Sequence, residues 1–275
     1  MGSETLSLQK VSEELGVHYM TVYRYVRTGA LPARKEGAQW MVSRADLKRY
    51  TKGKQGLRGG RGSADWSGRL FSRLVAGDEA GAWKVIESAL ASGADPAKVV
   101  VEILGGAMKR VGIEWARGQL DISAEHRASA ISHRLIGRLG PMSAKRGRSR
   151  GTVVVGAPKG ELHGLGTAML ANVLRSAGFE VHDLGPDVPD QSFVTACEEA
   201  NRLLAIGISA STAPDAKIKR LVRALRSQGV PIMVGGPAIA DERHARALGA
   251  DGWATDAIAA IEMVESLIAA PSSSG

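Results

Sequence analysis

The chain has 275 residues, enough for two or three domains with at least one sizeable core. Its 44% hydrophobic and 23% charged residues are ordinary for globular protein, and its single cysteine, Cys197, excludes an internal disulfide framework or a Cys-rich metal site. No apolar run approaches the roughly 20 residues that span a bilayer, and the N-terminus lacks a signal-peptide core, so a cytoplasmic chain without a membrane partner is expected.

The net charge of +8 is concentrated at one end. Residues 1–62 carry twelve Lys and Arg against five acids, and the remaining 213 residues are close to neutral. A basic head on a neutral body points to a polyanion partner for the head. In chain order, Val11, Leu15, Val17, Val22 and Val26 fall where two short helices crossing at Gly16 would bury them. The second helix then offers Tyr19, Thr21, Tyr23, Arg24 and Arg27 to base edges and phosphates. Leu31–Val42 reads as a hairpin wing whose Arg34 and Lys35 would touch DNA backbone. This segment resembles the winged helix-turn-helix of MerR and excisionase proteins, which implies operator DNA as a partner.

Residues 53–64 contain five glycines and read as a flexible linker between a 1–52 domain and the rest. From 65 to 145 the pattern is helical throughout. Leu70, Leu74 and Val75 form one stripe, and Trp83, Ile86 and Leu90 form another. Asp95-Pro96 is an N-cap followed by proline in the first turn, opening a helix with Val99, Val100, Ile103, Leu104, Met108 and Val111. A fourth helix from Asp121 carries Ala128, Ile131, Leu135 and Leu139, which suggests a four-helix bundle. Residues 150–270 alternate strands with helices: Thr152–Gly156, Glu180–Leu184, Leu204–Ile208, Pro231–Val234 and Gly252–Ala254 are the expected strands of a parallel, Rossmann-like α/β domain.

Just past the first of these strands stands Glu161-Leu162-His163-Gly164-Leu165-Gly166. A histidine there can donate to a metal, a carboxylate two residues away can hold its other nitrogen, and Gly166 leaves room for a ligand. The run resembles the Asp-x-His-x-x-Gly signature of base-off cobalamin-binding domains, with Glu161 in place of the aspartate. The resemblance makes His163 the lower cobalt ligand. It also makes Ser209, Ser211 and Thr212 of Ser209-Ala210-Ser211-Thr212, together with Gly235 and Gly236, the lining of the tunnel for the nucleotide tail.

The bundle contains Trp115, then nine residues, then Glu125-His126. This resembles the motif with which CarH-type light sensors cover the adenosyl group of adenosylcobalamin, with Ile122 a small apolar neighbour. The resemblance implies a multidomain, non-enzymatic, light-responsive transcription regulator that changes its oligomerisation, a dark homotetramer among the states, when the cobalt–carbon bond breaks. Ala116 stands where those sensors carry a second cobalt-binding histidine, leaving His126, His133 or water for that role. A noncovalent bilin, as in the photocobilin branch, is a further expectation. Two rival readings remain: a corrinoid methyl carrier, and a regulator that senses cobalamin without light.

Overall fold

The structure is a computed structural model that describes residues 5–15, 22, 26, 31–36, 39–47, 65–143 and 147–269. It divides into two compact units, Met1–Asp65 and Trp66–Gly275.

In the first unit, β1 (Thr5–Ser7) leads into α1 (Leu8–Leu15), and β2 (Arg34–Glu36) and β3 (Gln39–Ser43) form the expected hairpin. The sheet has a third member that was not foreseen. β1 pairs antiparallel with β3, giving the order β1-β3-β2 with Leu6 opposite Val42. Three residues are too few for alternation to stand out in a sequence. Leu6, Leu8, Val11, Val22, Val26, Leu31, Val42 and Leu47 make the core. Ser43 caps the helical turn after β3 by accepting from the Asp46 N–H at 3.0 Å.

In the second unit, α2 (Trp66–Ala76) and α3 (Glu79–Ala91) are joined by Gly77, whose φ of 74° provides the turn, and by Asp78, whose carboxylate caps α3 at the Gly81 N–H. Asp95 caps the next helix through the Ala97 and Lys98 N–H groups, with Pro96 in the first turn as expected. This helix is not uniform. α4 (Pro96–Lys98) widens into a π-helical stretch, Val99–Gly105, before continuing as α5 (Gly106–Ala116). Through this stretch Val99, Val100, Ile103, Leu104, Ala107 and Val111 all reach the core. α6 (Ile122–Ser143) completes the helical half, burying Ala128, Ile131, Leu135 and Leu139.

The α/β half follows from residue 152. β4 (Thr152–Gly156), α7 (Leu165–Ser176), β5 (Glu180–Asp183), α8 (Asp190–Glu198), β6 (Leu203–Ser209), α9 (Asp215–Leu225), β7 (Ile232–Gly235), α10 (Glu242–Ala247), β8 (Gly252–Ala254) and α11 (Ala257–Ala269) alternate. The sheet is wholly parallel in the order β5-β4-β6-β7-β8. Val153 and Val155 face α7 and α11, whereas Val154, Ile206 and Ile208 face α8 and α9; burial on both sides accounts for near-continuous apolar strands. Strand β6 runs one residue longer than expected at each end, because Leu203 pairs with Thr152 and Ser209 with Gly235.

The two halves share one core. Val173 of α7 is buried among the side chains of the helical half, with Leu165, Ala168 and Met169 packed beside it. Gly105 marks the closest approach: a Cβ there would sit 2.9 Å from Cε of Met169. The Asn172 amide donates to the carbonyl of Ile136 in α6 at 3.4 Å.

Candidate corrinoid site

In the order β5-β4-β6-β7-β8 the chain leaves β4 toward both sides, so the crevice between the C-terminal ends of β4 and β6 is the switch point where a doubly wound sheet binds its ligand. The loop after β4 is built to hold a shape. Glu161 N–H donates to the Pro158 carbonyl at 2.9 Å, Asp187 N–H donates to the Glu161 carbonyl at 2.8 Å, and Gly160 N–H donates to the Asp187 carboxylate at 2.7 Å. Gly160, at φ 88°, permits the turn.

Glu161 is fully buried, yet none of its oxygens lacks a partner. Its Oε2 accepts from the backbone N–H groups of Ser211, Thr212 and Ala213 at 2.8, 2.6 and 3.0 Å. Its Oε1 accepts from the His163 N–H at 3.1 Å and lies 2.5 Å from His163 Nδ1. Burial alone would raise this carboxyl, but the hydrogen bonds from Thr212, His163 and Ser211 outweigh it and hold Glu161 at about 2. An ionised carboxylate only accepts, so Nδ1 of His163 is the donor. That fixes the tautomer and leaves Nε2 as the nitrogen with a free lone pair, on a side chain 57% exposed at the sheet edge.

Small residues surround this loop. A Cβ on Gly166 would lie 2.5 Å from Oγ of Ser209, and one on Gly235 would lie 3.0 Å from the carbonyl oxygen of Ala254. Gly236 has φ 102°, and a side chain there would run into the Ala210 backbone. Of the expected tail-lining residues, Ser209 and Gly235 end β6 and β7, and Ser211, Thr212 and Gly236 lie on the loops that follow. Ser211 and Thr212 contribute backbone N–H groups to Glu161, a role not read from the sequence.

On the helical half, Trp115 is 49% exposed at the end of α5 and Ile122 60% exposed at the start of α6. Glu125 Oε2 lies 2.7 Å from His126 Nδ1, and Glu125 Oε1 accepts from Ser129 Oγ at 2.7 Å. Further along α6, Cε1 of His133 would lie 3.6 Å from a Cβ on Gly164, so this helix runs beside the His163 loop. Seven residues of helix, about 10 Å of rise, separate His126 from that point. Among the described residues no three His, Cys, Asp or Glu converge, so a metal here would need most of its ligands from a macrocycle, as cobalt has in a corrin.

Of the expected DNA contacts, Arg34 and Lys35 are exposed on β2, while Tyr19, Thr21, Tyr23, Arg24, Arg27 and the 53–64 linker lie outside the described residues. Cys197 is buried in α8, and burial followed by the charge of Glu198 pushes its thiol up to about 12.

Comparison with known proteins agrees with this geometry. B12 binding domain models match residues 151–262 and 67–139, and a helix-turn-helix domain model matches 5–55. The dimethylamine corrinoid protein of Methanosarcina barkeri is 33% identical over 185 residues, covering 64% of this chain and 84% of that protein. The chain belongs to the corrinoid protein family. Trimethylamine corrinoid protein 1 of Methanosarcina acetivorans is 30% identical to this corrinoid protein over 197 residues, 68% of this chain and 91% of that one. The solved monomethylamine corrinoid protein of Methanosarcina barkeri shares the fold, with a TM-score of 0.62 at 23% identity, covering 72% of this chain and 96% of that one.

These relatives, corrinoid proteins that match about two thirds of the chain and are themselves named for methylamines, overturn the expectation of a light-responsive transcription regulator in favour of the rival reading. The Trp115…Glu125-His126 pattern that carried the expectation has a plainer basis: an exposed indole at a helix end, and a carboxylate bonded to its own helix neighbours. A bilin finds no support in the comparisons, which point to B12 alone.

Proposed function

We propose that this chain is a corrinoid carrier, which holds a cobalamin in the base-off form with His163 under the cobalt and keeps it available to partner proteins without turning over substrate itself. The observation that carries this reading is the buried Glu161 carboxylate fixing Nδ1 of His163 at the switch point of the sheet, in a chain whose relatives are methylamine corrinoid proteins. A bound corrinoid would supply a cobalt centre able to accept and release a methyl group. Glu161 keeps the His163 ring oriented and its Nε2 basic, and Ser209, Ser211, Thr212, Gly235 and Gly236, with Gly166 opposite, receive the nucleotide tail. Trp115 and Ile122 leave apolar surface exposed at the end of α5 and the start of α6, and in this reading they would shield a methyl or adenosyl group on the cofactor from water.

The test is an electron paramagnetic resonance spectrum of the full chain loaded with cobalamin and reduced to cobalt(II). Nitrogen splitting that changes from a triplet to a doublet on 15N-histidine labelling, and disappears in His163→Ala, is expected. Splitting indifferent to the label would show that the cofactor keeps its own base and would overturn the reading. Carriage is tested by reducing the loaded protein to cobalt(I) and adding methyl iodide, with formation of the methylcobalamin absorbance as the expected result.

One observation favours a second reading. The helix-turn-helix match over 5–55 and the charge of residues 1–62 suit a DNA-binding protein that senses cobalamin without light. That reading expects cobalamin to change duplex affinity by at least tenfold in the dark and identically under illumination. An unchanged affinity leaves the carrier reading alone.

A further inference from the structure

The outer face of the α2–α3 hairpin bears a cleft of about 300 Å³, lined among others by Trp66, Arg69, Arg73, Asp78, Gly81 and Lys84. It contains none of the corrinoid-site residues, and its volume is at the lower end of small-ligand pockets, about 300–1,000 Å³. Trp66, Arg69 and Arg73 follow one another at helical spacing along one face of α2. The Arg69 guanidinium lies over the Trp66 ring, 5.1 Å from its centroid, which restricts the side chain before any ligand arrives. Arg73 donates to Asp78 Oδ2 at 2.9 Å, and the other oxygen of Asp78 accepts from the Gly81 N–H at 2.8 Å. Asp78 therefore faces three cations, ion-paired with Arg73 and attracted at longer range to Lys84, which leaves the cleft net positive. Among the described residues Arg69 and Lys84 have no carboxylate within ion-pair distance. Gly81 leaves room for the Asp78 cap: a Cβ there would collide with the Asp78 carboxylate and stand 2.9 Å from Cδ of Arg73.

Three cations against one carboxylate, one of them a flat guanidinium pre-set by an indole, suit a tetrahedral oxyanion carried on a larger group. We propose that the α2–α3 cleft binds the phosphate of an organic phosphate ester. Two sources share that chemistry, a nucleic-acid backbone and a free nucleotide. The basic stretch that ends only a few residues before Trp66 favours the first.

The experiment uses the full chain labelled with 5-fluorotryptophan, whose five 19F resonances report separately on each indole, Trp66 being assigned with Trp66→Phe. AMP and a 20-base-pair duplex of arbitrary sequence are titrated at low salt, with sodium chloride at matched ionic strength as the reference. A saturable shift of the Trp66 resonance with either phosphate, absent with chloride, is expected. The Arg69→Ala/Lys84→Ala double variant should weaken it at least tenfold, the loss of two charge-assisted contacts. Gly81→Ala, which displaces the Asp78 carboxylate and the Arg73 side chain that line the cleft but keeps the Arg69 and Lys84 charges, should weaken it. A response to duplex alone assigns the phosphate to nucleic acid, and one to AMP alone assigns it to a nucleotide. No shift, the same shift with chloride, or undiminished affinity in the double variant would overturn the proposal. The two cation substitutions are on exposed side chains, so the test does not depend on Gly81→Ala folding.

Discussion

At the scale of single residues, Glu161 does the work of two groups. It orients the His163 ring and closes the turn after β6 with three backbone hydrogen bonds. Its folded pKa of about 2 lies below its ordinary value of 4.5, so the stabilisation is complete above 4.5 and is lost as pH falls from there toward 2. A shift of that size corresponds to roughly 3 kcal/mol. Glu161→Gln is therefore expected to lower stability at pH 7 by about 2–3 kcal/mol and to flatten its pH dependence between 4.5 and 2, measured by urea unfolding. Glu161→Asp should retain charge but lose reach, and either the His163 bond or the Ser211–Ala213 bonds should go. The sequence showed that a carboxylate stood in the right place. It did not show the second task, because the partners are backbone N–H groups fifty residues away and backbone donors leave no trace in side-chain identity. Gly236→Ala, at φ 102° against the Ala210 backbone, should cost about 1–3 kcal/mol in thermal unfolding even without cofactor.

At the scale of elements, apolar spacing was legible wherever an element was long enough to repeat it. The buried set Ala128, Ile131, Leu135 and Leu139 of α6 and the five strands of the parallel sheet stand within a residue or two of where the pattern puts them. Strand β1 and the π-helical stretch were not legible, the first because it is three residues long, the second because its buried residues also satisfy ordinary helical spacing. Trp115 sits at an element end and is half exposed, so Trp115→Ala should leave the unfolding midpoint within about 0.5 kcal/mol of the parent. The same substitution should admit solvent to the upper face of a loaded corrinoid. Cyanide exchange at least tenfold faster, followed by absorbance, is the expected sign; an unchanged rate would remove Trp115 from the shield.

At the scale of the whole molecule, α7 belongs to the sheet and to the helical core at once, through Val173 on one side and Ala171 and Leu174 on the other. Residues 66–269 should accordingly unfold in a single transition, with the helical-core Trp83 and the sheet Trp253 reporting the same midpoint. Two separated midpoints would show that the halves are independent. The fusion of cores was outside what the sequence offers, since a shared residue and a private one have the same composition. It also decides how a partner protein could reach a metal held here. A roof that shares its beams with the floor does not lift. If the chain is a carrier, access is expected instead near the corner formed by Arg117–Asp121, where Gly118 takes a φ of 69° and the chain between α5 and α6 is exposed, a side door that would leave the building standing.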